Sequence, residues 1–414
     1  MTAPDVEIWQ LRACFAAALS AMYGTEVPAY TTLVEVAEAV NRDYVATHPH
    51  AGRLGSIDRV TAERHGAIRV GSPAELNAVA DLFAAFGMYP VGYYDLREAA
   101  SPVPVVSTAF RPVDAAELAR NPFRVFTSML ATRDERFFGS DLRDRVEACL
   151  STRTLFDPEL IDNARRIAAD GGCTADTATE FVTGAVAAFA LSREPVDRAW
   201  YSELTAVSAV AADIAGVSTT HINHLTPRVL DIDDLYRRMS ERGITMIDAI
   251  QGPPRWEGPP VLLRQTSFRA LAEPRRFREA DGQVTDGTLR VRFGEVEARG
   301  VALTRKGRER YDAAMASADP AAMWGDHFPT SDDEMESAGL AYYHRGDPSA
   351  PVVYEDFLPA SAAGIFRSNL DSDTETATGA DQSGYDIDWM AETIGRHIHD
   401  PYDLYDATAQ EAPA

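Results

Sequence analysis

Apolar positions recur at helical spacing over residues 7–24 (Ile8, Leu11, Phe15, Leu19, Met22), and the pattern stops against Gly24 and Pro28. A second helix is predicted over about 31–46. From Ser56 the rhythm changes. Arg64–Val70 reads as a short strand, after which Ser72 stands as an N-cap, with Pro73 at the first helical position and Glu75 as the capping-box acid. The helix they open runs through Leu76, Val79, Leu82, Phe83 and Phe86 and ends at Gly87. Strands are predicted at 88–96, 103–110 and 123–130.

From about 131 to 215 the pattern is helical, with Ala-rich helices near 175–191 and 200–215 separated by Pro195. The first rhythm then returns. A strand is predicted at 219–225, a helix opening at Asp231 and running to Ile244, and strands at 246–250, 261–268 and 290–296. The two stretches share an order: a histidine-bearing strand, a helix of about four turns ending near a glycine, then strands. The predicted class is therefore α+β, with paired βαβββ modules at 57–130 and 217–310. N-terminal helices (1–56) pack on that core, a helical insertion fills 131–216, and a C-terminal segment (311–414) completes the site. Beyond about 371 the chain is acidic and rich in Ser, Thr and Gly, ahead of a last helix near 387–398.

The chain has 414 residues, more than one typical domain of about 100–200, and its 45% apolar and 25% charged content is that of a globular protein. Net charge is −24, from 39 basic and 63 acidic residues. Nucleic acid and anionic membrane reward concentrated positive charge, so both are excluded as main partners, while a cation or a small polar ligand in a local site stays open. Lys306 is the only lysine, a coding bias before it is chemistry. Cys14, Cys149 and Cys173 are odd in number and far apart, and support neither a disulfide framework nor a C-x-x-C metal site. Asp5 and Glu7 precede the first apolar stretch, unlike a signal peptide, and no window approaches 18 consecutive apolar residues. A cytoplasmic protein is expected.

Position selects among the histidines. His48 and His50 flank Pro49, and His344, His397 and His399 sit among charged neighbours; these read as surface or structural. His65, His221 and His224 differ, because they lie at equivalent places in the two modules. The last strand of the second module carries Phe293-Gly-Glu-Val-Glu-Ala-Arg-Gly300, whose alternation puts Glu295 and Glu297 on one face. A carboxylate on an apolar strand must be paired or bind a cation. Two matched histidines and one of these acids make a 2-His-1-carboxylate site, which leaves coordination positions open on one side and suits ferrous iron. Arg69 shares the face of His65, about 13 Å away at roughly 3.3 Å per residue. Its planar fork suits the far carboxylate of a substrate of about six carbons. Gln265 and Ser267, on a neighbouring strand, are candidates for lining the pocket or for strand pairing.

Four segments in order, His65-Gly-Ala-Ile-Arg69, His221-Ile-Asn-His-Leu-Thr-Pro227, Phe293–Gly300 and Phe357-Leu-Pro-Ala-Ser-Ala-Ala-Gly-Ile-Phe366, resemble the 2-oxoadipate dioxygenase/decarboxylase family. The resemblance runs from about 57 to 370 and implies a vicinal-oxygen-chelate-like half-open barrel. It also implies Fe(2+) and the conversion of 2-oxoadipate and dioxygen to 2-hydroxyglutarate and carbon dioxide in lysine breakdown. Carried onto this sequence, it puts the metal on His65, His221 and Glu295, with His221 preferred to His224 by its separation from His65. Glu295 is preferred to Glu297 because Glu-Val-x-x-Arg resembles the Glu-x-x-Gln-Arg segment of 4-hydroxyphenylpyruvate dioxygenases. Substrate contacts fall on His65, Arg69, His221, Ala360 and Ser361, with Arg69 catalytic in orienting the substrate; Ala360 departs from an expected valine. Two rivals stand beside it: a non-catalytic protein that sequesters a small acid, and a redox-silent isomerase or lyase using zinc, nickel or manganese.

Overall fold

Helix α1 (Ile8–Glu26) buries Leu11, Phe15 and Leu19, the stripe its periodicity predicts. Gly24 does not end it. The helix runs two residues further, and Pro28 instead opens α2 (Pro28–Thr47), where a missing N–H goes unmissed. The computed structural model describes residues 4–49, 51–99, 102–358 and 383–413, so the expected contacts Ala360 and Ser361 lie outside the described residues, as does most of the acidic stretch.

The first module forms strand by strand: β1 (Arg64–Val70), α3 (Pro73–Ala84), β2 (Tyr89–Asp95), β3 (Val105–Arg111) and β4 (Arg124–Leu130). Ser72 and Glu75 make the reciprocal capping box, and Gly87 takes the left-handed conformation (φ 64°) that turns the chain back. The strand order is β2-β3-β4-β1-β5, where β5 (His224–Pro227) comes from the second half of the chain. β1 pairs parallel with β4 and antiparallel with β5.

The second half continues through α4 (Ile232–Glu241), β6 (Leu263–Phe268), a hairpin of β7 (Glu273–Arg278) and β8 (Val284–Leu289), and β9 (Gly294–Arg299). β9 pairs antiparallel with β6. Isolated bridges join Met246 to Phe268 (antiparallel) and Arg228 to Glu297 (parallel). The order 246–β6–β9–β5 thus repeats β2–β3–β4–β1. Three expectations are corrected. The strand expected at 219–225 starts only at His224, 246–250 holds one isolated bridge, at Met246, in place of a strand, and the expected 290–296 strand begins at Gly294. The β7–β8 hairpin is an addition; its strands are charged or exposed at alternate positions and lack an apolar face to announce them.

Five helices (Ser140–Ser151, Pro158–Asp170, Ala175–Ala188, Arg198–Val207, Ala209–Ala215) occupy the middle of the chain. The expected final helix stops at Ile394 against left-handed Gly395, and another, Pro401–Gln410, follows. No helix of the described residues is long and apolar enough to cross a membrane.

Alternation divides the sheet faces. Ile68, Val70, Val106, Phe110, Val125, Met129, Leu225 and Val296 join the core formed with Phe15, Phe83 and Phe86 of the helical layer. Residues of opposite parity face the other way: His65, Ala67 and Arg69 on β1, Arg124 and Phe126 on β4, His224 and Thr226 on β5, Glu295 and Glu297 on β9. All nine are buried. Gly294 brings β9 onto β6, and a Cβ there would stand 1.8 Å from a ring carbon of Phe268. Gly294→Ala is therefore expected to lower stability by about 1–3 kcal/mol through overpacking, read as a fall in the denaturant midpoint with unchanged slope.

Candidate metal centre

Strand pairing assembles the site. On β1 and β5 His65 lies opposite Thr226 and Ala67 opposite His224, and residues directly opposite in an antiparallel pair share a face. β9 runs on the far side of β5, linked by the Arg228–Glu297 bridge and by Val229 N–H donating to the Glu297 carbonyl at 2.8 Å. Glu295 therefore meets both imidazoles. Its Oε1 lies 3.3 Å from His65 Nε2 and its Oε2 3.6 Å from His224 Nε2. Among the described residues, His65, His224 and Glu295 form a group able to hold a metal ion, with one ligand atom from each within 4.8 Å of one another.

The surroundings fit such an ion. The three side chains are at most 6% exposed, and both rings turn Nε2 inward. The rings stand nearly perpendicular, with centroids 5.4 Å apart. Phe357 meets the His65 ring edge-on at 5.0 Å and Phe293 lies 5.0 Å from the His224 ring, walls that thin the water around the site. Burial pushes the Glu295 carboxyl up, with His65 opposing it. Burial also drives the His224 pKa well down, reinforced by His65 and Arg69. A neutral imidazole is the form that ligates. A carboxylate and two imidazoles stripped of water are a donor set for a divalent cation.

The structure does not bring His221 to this group. The strand begins only at His224, so alternation does not reach back to His221, and pairing with Ala67 fixes His224 as the one facing in. His221 Nε2 lies 3.1 Å from Asp213 Oδ1, and Asn223 Nδ2 is 3.2 Å from the same ring nitrogen. Asp213 also pairs with Arg69 Nη1. Burial works to raise the Asp213 carboxyl, yet His221 and Arg69 hold it down at about 2. Asp213 sits in the helix Ala209–Ala215 and has no motif around it, so nothing in the sequence singles it out.

Glu297 sits on the other side of His65, its Oε2 3.1 Å from Nδ1. Arg299 clamps it through Nε at 2.6 Å and Nη2 at 2.9 Å. Arg124 Nη2 donates to Glu63 at 2.7 Å and to Glu355 at 2.5 Å, and Arg228 donates to Glu63 at 2.9 Å. Arginines and acids thus alternate through the space behind the centre. Gln265 and Ser267 lie opposite Glu297 and Glu295 across β6 and β9, and both are buried. Glu63 and Arg124 escaped sequence reasoning because buried ion pairs between distant segments have no local spacing to betray them.

Comparison with known proteins matches nearly the whole chain. Residues 15–369 match the model of the family described as 2-oxoadipate dioxygenase/decarboxylase. A 2-oxoadipate dioxygenase/decarboxylase of Mycobacterium tuberculosis is 75% identical over 402 residues, 97% of each chain. The crystal structure of the hydroxyglutarate synthase of Pseudomonas putida in complex with 2-oxoadipate superposes with a TM-score of 0.84 at 36% identity, covering 99% of this chain and 97% of that one. At the level of fold alone, a glyoxalase superfamily protein of Ralstonia eutropha aligns at TM-score 0.54 and 21% identity over 72% of this chain and 88% of its own. With a family model matching most of its length and a relative three-quarters identical end to end, the chain belongs to the 2-oxoadipate dioxygenase/decarboxylase family.

Proposed function

We propose that this protein converts 2-oxoadipate and dioxygen to 2-hydroxyglutarate and carbon dioxide, with iron(II) held by His65, His224 and Glu295. The observation that carries the assignment is the convergence of two Nε2 atoms on one buried carboxylate. Iron(II), when bound, supplies a redox-active Lewis acid with open positions for a 2-oxo acid and for dioxygen. The other residues orient and protect. Arg69, on the same face as His65, takes the distal carboxylate of the substrate, and Asp213 holds the guanidinium in place from behind. Phe126, Phe293 and Phe357 keep water from the reacting carbons. The family resemblance adds Ala360 and Ser361, outside the described residues, as further substrate contacts.

The two strand runs, 57–130 and 217–310, are read as vicinal-oxygen-chelate-like modules forming a half-open barrel around the centre, and the repeated strand order supports this. Segment 1–56 backs that core, 131–216 is an insertion, and 311–414 closes the site.

Purified protein loaded anaerobically with iron(II) is expected to consume one dioxygen and release one carbon dioxide per 2-oxoadipate. Arg69→Ala is expected to retain iron and lose turnover, measured by oxygen electrode and metal analysis. Tight binding of 2-oxoadipate without oxygen uptake would instead identify a sequestering protein. Oxygen-independent turnover with zinc or manganese would identify an isomerase or lyase.

A further inference from the structure

The alternation of β9 delivers two carboxylates to one imidazole. Glu295 lies 3.3 Å from Nε2 of His65 and Glu297 lies 3.1 Å from Nδ1, so the ring lies between acids two residues apart. Their surroundings differ. Glu295 has histidines on its inner side, whereas both oxygens of Glu297 are engaged by Arg299, at 2.6 and 2.9 Å, with Arg124 Nη1 at 3.5 Å. Arg299 is fixed in turn by the carbonyls of Tyr354 and Asp356, at 2.8 and 3.0 Å. Glu297 is thus a fully buried anion whose position is set by a clamp anchored in the C-terminal segment.

We propose that Glu297 is the positioning residue for His65: it keeps the proton on Nδ1, fixes the ring plane, and presents the Nε2 lone pair to the metal. This rests on the metal-site reading above and extends it to a residue outside the donor set. A neutral imidazole carries one ring proton, and an anion at Nδ1 holds it there and makes the other nitrogen a stronger donor. The clamp has a second consequence. With its oxygens committed to arginines, Glu297 cannot swing round to compete with Glu295 for the ion.

The two histidines are also supported unequally. Nδ1 of His224 faces the neutral hydroxyl of Thr226 at 3.0 Å, while Nδ1 of His65 faces a carboxylate. Without Glu297, Arg124 keeps Glu63 and Glu355 as partners and Arg299 keeps Glu63, at 3.5 Å.

The test measures iron(II) and cobalt(II) affinity of the full-length metal-free protein, by anaerobic competition with a chelator, together with the cobalt visible absorption spectrum. Glu297→Gln is expected to weaken both metals by about 10–100-fold and to alter the cobalt bands. Glu297→Asp, which keeps the charge but withdraws it, is expected to fall between Gln and wild type and guards against a misfolded Gln variant. Glu355→Gln removes a carboxylate from the same ionic cluster without touching His65. It is expected to lower thermal stability yet leave metal affinity within about twofold. The proposal is overturned if Glu297→Gln and Glu297→Asp bind metal as wild type does, or if Glu355→Gln weakens binding equally. If His224→Ala also binds metal like wild type, the metal-site reading itself has failed; if His224→Ala loses metal while both Glu297 variants keep it, only the positioning role has.

Discussion

His224→Ala is expected to leave a folded protein that retains no iron and consumes no oxygen, whereas His221→Gln should keep its iron. The expectation follows from which nitrogens converge. His224 Nε2 points at Glu295, and removing it leaves one imidazole and one carboxylate, too few to hold a divalent ion in a buried site. Loss of a residue that merely supports a ligand weakens binding about 10–100-fold, so loss of a ligand should exceed about 100-fold. His221 instead lies against Asp213, which keeps Arg69 and Asn223 as partners after the change. Its variant should lose substrate affinity more than metal. Metal content after gel filtration, with oxygen uptake on the same samples, decides the matter; the reverse pattern would return the ligand role to His221.

Asp356→Asn is expected to cost about 3–5 kcal/mol of stability, the range for removing one partner of a buried ion pair. Asp356 accepts from Arg111 Nε at 2.7 Å and Nη2 at 3.1 Å, and from the Tyr405 hydroxyl, joining β3, the stretch after Val353 and the last helix. The substitution leaves the Arg111 guanidinium in the interior with a neutral amide. Burial tends to raise the Asp356 carboxyl, but Arg111 and Tyr405 overcome this and hold it below its usual value. A carboxyl depressed in the folded state contributes stability that is present above its unfolded pKa and fades as pH falls through the folded one. Wild type should therefore lose stability below about pH 4 more steeply than Asp356→Asn. Denaturant titrations at pH 7 and at pH 3.5 would show the gap between the two proteins narrowing; a constant gap would rule out the charged pair as its source.

Much of the fold was legible because local chemistry and burial agree in the first module. The Ser72–Glu75 capping box, the apolar stripe of α3 and the alternation of β1 each act within a few residues. The second module was harder to read. Its opening strand is short, its counterpart to β2 is reduced to bridges at Met246 and Gln251, and a polar hairpin interrupts it. The site was legible to the extent that alternation governs it: His65 with Arg69, and Glu295 with Glu297. The choice between His221 and His224 turned on where the strand begins, which is fixed by pairing of His224 with Ala67 in the distant first module. Alternation also placed Glu295 and Glu297 together without showing which side of His65 each takes. His224, reaching Glu295, and Arg299, folded back on Glu297, distinguish them.

The hydroxyl of Tyr23, in α1, shares its one proton between the carbonyls of Asn223 at 3.0 Å and Phe293 at 2.8 Å. One atom thus spans the backbones that lead into His224 and Glu295. A segment remote in sequence from the chemistry acts as a crossbeam setting the gap between two donor-bearing strands, so the bite of the centre is gauged from the amino-terminal end of the chain.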